Sequence, residues 1–412
     1  MWELIRANKR NSIVLMVVMA LVLLAVGFVI GLAFSGSPEG GLFGLMIATA
    51  IWLVLTLISF SSGDQILLAA SKATRVTHDV HPQLFNVVEE MKIAASLPAM
   101  PKVYIINDPA PNAFATGRSP DTASVAVTAG LLARLNRDEL QGVIAHEISH
   151  IVHRDILFVT LAGVMLGSIV LLSQVFLRGM FYSSMMGSRR RYSSGSGGGG
   201  GYAQIVMLVL AIVVAILAPI MASLLYFALS RRREYLADAG AARLTRYPEG
   251  LASALEKIAG DPSPQLATVN KVTAPMYIAN PFKKKNQRNL SDLTSTHPPI
   301  SERIKILRNM TQGASFKEYS KAYTEITHAA SVVPIAAVSE KEPVDLRQAS
   351  AEAKKEDRRE RQMRQVGDIM RKVNQFVFLS CVCGLKMKIP PNFKGNKVKC
   401  PRCRKILDVA SK

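Results

Sequence analysis

Four long apolar segments dominate the hydrophobic pattern of the chain. They run over Ser12 to Phe34, Leu42 to Phe60, Asp155 to Leu177 and Ile205 to Leu229. Each is long enough, as a helix, to cross a hydrocarbon layer of about 30 Å. A cleaved signal peptide is the alternative for the first segment, but that segment is too long for a signal core and no clear cleavage site follows it. The pattern predicts two N-terminal membrane spans and, further along, a spanning hairpin.

Between the second and third apolar segments, the pattern is typical of a soluble α+β unit. His81 to Ala95 is amphipathic with a helical period. Pro101 to Ile106 and Ser124 to Thr128 are rich in β-branched residues and bounded by turn formers, which indicates strands. Asn112 to Gly117 lies between them as a loop or an edge strand. Arg137 to Val152 is predicted to be a helix, because acidic residues occupy its first turn and apolar residues recur at helical spacing.

The charge of the chain changes how these segments are interpreted. The 412 residues carry a net charge of +20 although 49% of them are hydrophobic. This combination favours a membrane protein with basic cytoplasmic faces over a soluble nucleic-acid-binding protein, so we expect the lipid bilayer and no nucleic acid as a partner. Ser35 to Gly41 contains no lysine or arginine, and we predict that it lies outside. Asp64 to Arg154 and the chain from Arg231 onward are then cytoplasmic, with the protein in the plasma (inner) membrane.

The connection between the third and fourth apolar segments is basic. It contains Arg178 and Arg189 to Arg191, beside a glycine-serine tract from Ser193 to Gly201 that is typical of a flexible loop. A spanning hairpin places these arginines outside, against the positive-inside rule. Shallow segments that lie against the bilayer are the alternative.

The helix predicted over Arg137 to Val152 carries an HExxH motif. His146 and His150 lie one turn apart on one face, where two imidazoles can bind one Zn²⁺. Glu147 points away from this pair and is placed to take the proton of a water that zinc acidifies. A chance match on an ordinary amphipathic helix is the alternative. His153 is interpreted as a polar helix-end residue, because the longer HExxHxxGxxH spacing is absent.

A third metal ligand is predicted on a second helix. Glu234 and Asp238 are four residues apart in the stretch from Arg231 to Gly240. Glu234 can complete a His₂Glu set, while Asp238 can accept a hydrogen bond from a ligand imidazole. The alternative is a solvated helix face on which both carboxylates pair with the preceding arginines.

Four motifs together resemble those of the HtpX-type membrane zinc metallopeptidases, which are related to CaaX prenyl proteases. The resemblance extends from the N-terminus to about Met310 and does not include the tail. The motifs are Asn112 to Gly117, the HEISH sequence at 146–150, Arg231 to Gly240, and Thr296 to Ile300 with Arg303.

This resemblance implies roles for particular residues. It makes His146, His150 and Glu234 the zinc ligands and Glu147 the general base. It also implies that an extended substrate lies along an edge strand near the active helix.

Three further residues, Asn112, His297 and Arg303, have two interpretations each. The resemblance makes Asn112 part of the substrate cleft, whereas the sequence alone favours a simple connection. It favours transition-state support by His297, for which a histidine at a helix entry is the alternative. Arg303 is left open between anchoring an oxyanion and binding a ligand carboxylate.

The C-terminal tail contains all four cysteines of the chain. Cys381, Cys383, Cys400 and Cys403 form two knuckles separated by a possible β-hairpin, which predicts a structural zinc ribbon. Two disulfides are the alternative, expected only if the tail is exported. The ribbon is a possible docking point for a protein partner.

These observations predict a mainly α integral membrane protein with a zincin-like α+β catalytic domain and a small C-terminal zinc ribbon. The predicted activity is a zinc endopeptidase that cleaves misfolded or surplus membrane proteins, or other unfolded polypeptides, from the cytoplasmic side. A membrane-tethered adaptor that recruits partners through its ribbon is the alternative. The predicted units are two spans (1–63), a first catalytic part (64–155), a membrane hairpin (156–229), a second catalytic part (230–312), a charged linker (313–372) and the ribbon (373–412).

Overall fold

The structure is a computed structural model. It describes residues 2–35, 37–186, 200–261, 277–278, 297–333, 338, 344–350, 367–393 and 395–409. Its principal elements are ten helices, α1 to α10, and eight strands, β1 to β8, and residues 367–373 are also helical. Most of the predicted glycine-serine loop and residues 351–366 of the predicted charged linker lie outside the described residues.

Helices α1 (Trp2–Ser35), α2 (Pro38–Ala70), α6 (Ile156–Met186) and α7 (Gly200–Thr245) correspond to the four apolar segments. Within the described residues, three helical stretches are long and apolar enough to cross a membrane: Ile5–Ser35, Pro38–Ala70 and Leu208–Thr245. In α6 the qualifying apolar stretch, Met165–Gly179, is shorter. The three long helices support an integral membrane protein, and the spanning hairpin stays a prediction.

The first two membrane helices pack through glycine. A Cβ on Gly27 would lie 2.8 Å from the carbonyl oxygen of Gly44, and a Cβ on Gly44 would lie 2.2 Å from that of Gly27. Without side chains at these positions the two backbones approach closely, as is common for helices in lipid. Their outer faces carry exposed apolar residues such as Leu21 and Leu57, which suit contact with acyl chains.

The soluble part contains a four-stranded sheet. Its strands are β1 (Ala73–Arg75), β2 (Lys102–Ile106), β3 (Ala113–Thr116) and β4 (Ser124–Thr128), in the order β1-β2-β4-β3. β2 and β4 are parallel, whereas β3 is antiparallel to β4 and lies at the edge beside α5. The predicted strands are therefore present, and the stretch beginning at Asn112 forms an edge strand.

Helix α5 (Arg137–Val152) lies at the centre of the soluble part. Asn136 and Glu139 form a reciprocal capping box, which determines where the helix begins. The helix packs against α3 (Pro82–Ala94), α7 and α8 (Pro248–Gly260). A Cβ at Gly142 would lie 2.6 Å from the backbone nitrogen of Leu251, so α5 and α8 cross where only glycine fits. The core formed by these helices and the sheet leaves almost all of α5 buried.

Helix α7 continues without a break from its apolar part into the soluble core. It has 46 residues and contains Pro219. The predicted boundary between 229 and 230 therefore falls inside one helix. Glu234 therefore lies on the same continuous helix as the apolar segment that precedes it.

The first part of the predicted linker (313–372) is a packed helix. The linker was therefore predicted to begin too early in the chain. Helix α10 (Phe316–Thr327) follows α9 (Ile300–Arg308), and its Phe316 and Tyr319 are fully buried. Its aromatic residues recur at helical spacing and enter the main core. This helix therefore belongs to the soluble core.

The described parts of the tail also contact the soluble core. Arg347 donates to Asp138 Oδ1 (3.0 Å) and to Gln141 Oε1 (2.6 Å) on the first turns of α5. Ser350 N–H donates to Asp138 Oδ2 at 2.7 Å. Met370, immediately before the ribbon, is buried in the main core. The tail is thus held against the soluble part at two places on either side of residues 351–366.

Candidate active site

The two motif histidines face each other on α5. The Nε2 atoms of His146 and His150 are 3.2 Å apart, and the rings are nearly perpendicular. His146 is fully buried, whereas 14% of the His150 side chain is exposed. The one-turn spacing of the motif therefore brings two nitrogen donors to one point.

Glu234 approaches the same point from α7. Its Oε2 lies 3.6 Å from His146 Nε2, and its Oε1 lies 3.5 Å from His150 Nε2. The three donor atoms all lie within 4.8 Å of one another. This group of two imidazoles and one carboxylate can hold a metal ion.

The outer nitrogens of the histidines test whether the donor set fits a cation. His146 Nδ1 lies 2.9 Å from Asp238 Oδ1, and His150 Nδ1 lies 3.0 Å from Asp155 Oδ2. A neutral imidazole has one N–H, and a carboxylate partner places it on Nδ1. If both are neutral, their Nε2 atoms direct lone pairs at one point from 3.2 Å apart, close to the spacing of two nitrogen ligands on one tetrahedral Zn²⁺. The residues present therefore fit a divalent metal.

The electrostatics of the site agree with this fit. Burial lowers the pKa of His150, but the carboxylates of Asp155 and Glu234 outweigh burial and raise it well above its ordinary value. For His146, burial is likewise outweighed, by Asp238 and Glu234, and the pKa is raised. The surrounding carboxylates thus stabilise positive charge where the two imidazoles meet.

Glu147 lies on α5 between the histidines and is buried. The backbone N–H of Ala115, on the edge strand β3, lies near its carboxylate and lowers the pKa of Glu147 slightly. Burial is the main reason that the pKa of Glu147 is raised above its ordinary value. The residue therefore connects the metal-binding helix to the edge strand.

Arg303 forms the inner wall of the site. Its guanidinium is fully buried and donates from Nε and Nη2 to the two oxygens of Asp238, at 2.8 and 2.7 Å. Nη1 also lies 3.4 Å from Glu234 Oε2 and donates to Ile278 O at 2.9 Å. Arg303 is thus an internal partner of the carboxylates. The sequence left open whether Arg303 anchors an oxyanion or a ligand carboxylate. It did not identify Asp238 as the partner of Arg303.

His297 is placed beside Glu234, with Nδ1 3.2 Å from Oε2, and is buried. Asn112 lies immediately before β3, where its side-chain oxygen accepts the N–H of Ala113.

His153 ends α5 as its C-cap and is not among the donors that converge on the metal site. Burial lowers the pKa of His153 to about 4.

The cysteines form a second cluster of donors in the tail. Cys381 and Cys383 lie in the turn between β5 (Val377–Ser380) and β6 (Lys386–Ile389). Cys400 and Cys403 occupy the turn region between β7 (Lys397–Lys399) and β8 (Ile406–Asp408). Each knuckle is therefore the turn of its own hairpin, whereas the sequence suggested one hairpin between the knuckles.

The four thiols are free, and their sulfurs lie within 4.8 Å of one another. The nearest pairs are Cys381 with Cys403 at 3.3 Å and Cys383 with Cys400 at 3.6 Å. Four sulfurs at the corners of a zinc tetrahedron are about 3.8 Å apart. The cluster is therefore compatible with a zinc ribbon.

The sequence model of peptidase family M48 matches residues 78–311, which include every donor of the His-His-Glu site. The chain belongs to peptidase family M48. It is accordingly a metalloprotease, and its three long apolar helices make it a membrane protein. The predicted resemblance is confirmed, and the residues beyond 311 lie outside the match.

Curated relatives support the same family. The chain is 45% identical over 309 residues to "Protease HtpX homolog" of Dictyoglomus thermophilum, a match that covers 75% of this chain and 94% of that protein. It is 46% identical over 311 residues to "Protease HtpX homolog" of Listeria monocytogenes serovar 1/2a, covering 75% and 100%. Among solved structures, the crystal structure of S. mikatae Ste24p is similar at 19% identity, covering 74% of this chain and 67% of that chain with a TM-score of 0.38.

Proposed function

We propose that this protein is a membrane-embedded zinc endopeptidase that hydrolyses misfolded or surplus membrane proteins on the cytoplasmic side. The observation that carries the proposal is the pair of Nε2 atoms 3.2 Å apart with Glu234 beside them. Two histidines and one carboxylate with space for a fourth ligand are the donor set of catalytic zinc sites. His146, His150 and Glu234 are the proposed ligands, and Asp238 and Asp155 orient the two imidazoles.

Glu147 is the proposed general base. When bound, zinc supplies Lewis acidity that polarises a peptide carbonyl and acidifies a water. The Glu147 carboxylate takes a proton from the attacking water and returns it to the leaving amide nitrogen. Its burial supports this role, because a raised pKa makes the protonated carboxyl a usable intermediate state.

The edge strand β3 is the proposed substrate-binding element. An extended peptide can add to an exposed sheet edge through its backbone hydrogen bonds. The packing of β3 against α5, with the Ala115 N–H near Glu147, supports this role. Asn112, at the start of the strand, belongs to the proposed cleft. One position of the edge, the Ala113 carbonyl, accepts the N–H of Ile278.

His297 is proposed to support the transition state. Its imidazole is buried beside the ligand Glu234, so it reaches the region where charge develops during the reaction. The same contact also gives His297 an alternative, structural role, in which it orients the carboxylate of Glu234. Loss of activity with full zinc occupancy in His297→Ala would favour the first role, whereas loss of zinc would favour the second.

Two substitutions separate the proposed base from the proposed ligands. Glu147→Gln should keep zinc, because all three ligands remain, while most peptide hydrolysis is lost. Glu234→Ala should lower both zinc occupancy and activity. Metal content by mass spectrometry and cleavage of a model membrane protein in detergent are the measurements. Wild-type activity in Glu147→Gln, or unchanged zinc affinity in Glu234→Ala, would contradict the assignments.

The tail cluster is proposed to hold a second, structural zinc. A segment this small buries little core, and a metal is a common way to stabilise such a fold. The purified protein should carry about two zinc ions per chain, one at each site. Replacing Cys381 and Cys400 by serine should reduce this to about one while proteolysis persists. A zinc content that is unchanged in this variant would exclude the second site.

The ribbon is also the proposed docking point for a protein partner. Its hairpins expose Val382 and Ile406, which are 77% and 62% accessible. If the ribbon recruits substrates, deleting residues 373–412 should raise KM for the recruited substrate and leave its kcat unchanged. Unchanged KM for every membrane substrate tested would remove this role.

A further inference from the structure

The ends of the membrane helices that meet the catalytic part are basic. A length of about 33 Å along α2 from Pro38 ends at Phe60, which is enough to cross a hydrocarbon layer about 30 Å thick. Beyond it, α2 is followed by Lys72 and Arg75, and α6 is preceded by Arg154. This face of the protein therefore meets the headgroup region with positive charge.

A shallow pocket, open to solvent and with a cavity volume of about 10 Å³, lies on this face. It is formed by two short connections, the turn after β3 and the junction between α5 and α6. Ile151, on its wall, is the residue next to the proposed ligand His150. The lining residues are Gly117, Arg118, Ser119, Pro120, Ile151, Arg154 and Ile156.

Two arginines supply the charge of this pocket. The side chains of Arg118 and Arg154 are both exposed, and neither forms an ion pair within the described part of the chain. The Arg118 guanidinium lies over the Phe60 ring, 5.8 Å from its centre. The pocket therefore combines two exposed guanidiniums with an aromatic side chain of the apolar helix α2.

The surface beside the pocket is apolar. Phe60 and Leu57 on α2 are 49% and 66% exposed, and the Phe60 ring lies against the Arg118 guanidinium. α6 begins at Ile156, on the pocket wall, and packs against α2. A ligand with an anionic head and apolar chains would match the two arginines with its head and the apolar surface of α2 with its chains. A free anion would contact only the arginines.

We propose that this pocket binds the phosphate headgroup of an anionic phospholipid whose acyl chains lie along α2. The two guanidiniums pair with the phosphate oxygens, and Ser119 can donate a further hydrogen bond. Because Gly117 directly follows β3, the bound lipid borders the proposed substrate cleft.

The test uses the full-length, zinc-loaded protein in detergent. Binding of phosphatidylglycerol and of phosphatidylcholine is measured by native mass spectrometry and by the thermal shift each lipid causes. Arg118→Gln/Arg154→Gln removes the two pocket charges. Lys72→Gln/Arg75→Gln removes the same charge from exposed positions after α2 and is the matched control. Circular dichroism and zinc content establish that both variants are folded.

The expected result is preferential binding of phosphatidylglycerol by the wild type, weakened roughly tenfold or more in the pocket variant and little in the control. Equal loss in both variants would mean that the general basic surface attracts the lipid, and would overturn the pocket. Competition by inorganic phosphate at concentrations similar to those of the lipid would identify a free anion as the ligand instead. Equal affinity for phosphatidylcholine would also overturn the proposal.

Discussion

Replacing Asp238 by Asn should strongly destabilise the protein by isolating a buried arginine. Arg303 is fully buried, and both oxygens of Asp238 accept hydrogen bonds from it, at 2.8 and 2.7 Å. Asparagine has nearly the same shape but no charge. The guanidinium would then face only Glu234, at 3.4 Å, which is also a proposed metal ligand.

The size of the effect follows from the burial of the pair. Removing one partner of a buried ion pair costs about 3–5 kcal/mol, because the other charge stays buried and uncompensated. For a unit of 150–250 residues, each kcal/mol lowers the melting temperature by roughly 2–4 °C. A decrease of about 10 °C is therefore expected for Asp238→Asn. Adding Arg303→Met should recover part of it, since the isolated charge is then removed.

Thermal unfolding in detergent is the assay, with metal removed by a chelator so that weaker zinc binding does not contribute. Glu249→Gln is the matched control, because Glu249 also accepts from an arginine, Arg308, but both side chains are about 40% exposed. Exposed ion pairs contribute little, so the control should melt close to the wild type. A melting temperature of Asp238→Asn equal to that of the control would refute this reasoning.

Three further predictions concern the tail and the topology. Arg347→Ala should release residues 344–350 from α5, so limited proteolysis should cut the tail faster than in the wild type. Burial alone raises the pKa of Asp138, but hydrogen bonds from Ser350 and Arg347 outweigh burial and lower the pKa below its ordinary value. This carboxylate therefore stabilises the fold above its unfolded pKa and loses that contribution as the pH falls through the folded value, so strong acid should also release the tail. A cysteine at Asp121, in a chain lacking the native cysteines, should resist an impermeant thiol reagent applied to intact cells, and labelling there would reverse the topology.

Local chemistry in the sequence determined much of this protein. The spacing of His146 and His150 determines their geometry, because four residues make about one helical turn and bring the two ring nitrogens together. The helix predicted over Arg137 to Val152 matches α5 because its cap, first-turn acids and apolar period agree. The apolar segments were recognisable for the same reason, as their length reflects the thickness of a bilayer.

Other features were decided only by tertiary structure. Arg303 is paired with Asp238 across 65 positions, and no local pattern encodes a contact between α7 and α9. Helix α10 was not predicted, because its charged residues are also typical of a linker. Only the structure shows that its aromatic face packs in the core. The contacts of Arg347 with α5 likewise depend on where a distant segment returns. Sequence periodicity reports what one element can do, whereas the pairing of buried charges depends on which elements meet, and that is determined by packing of the whole chain.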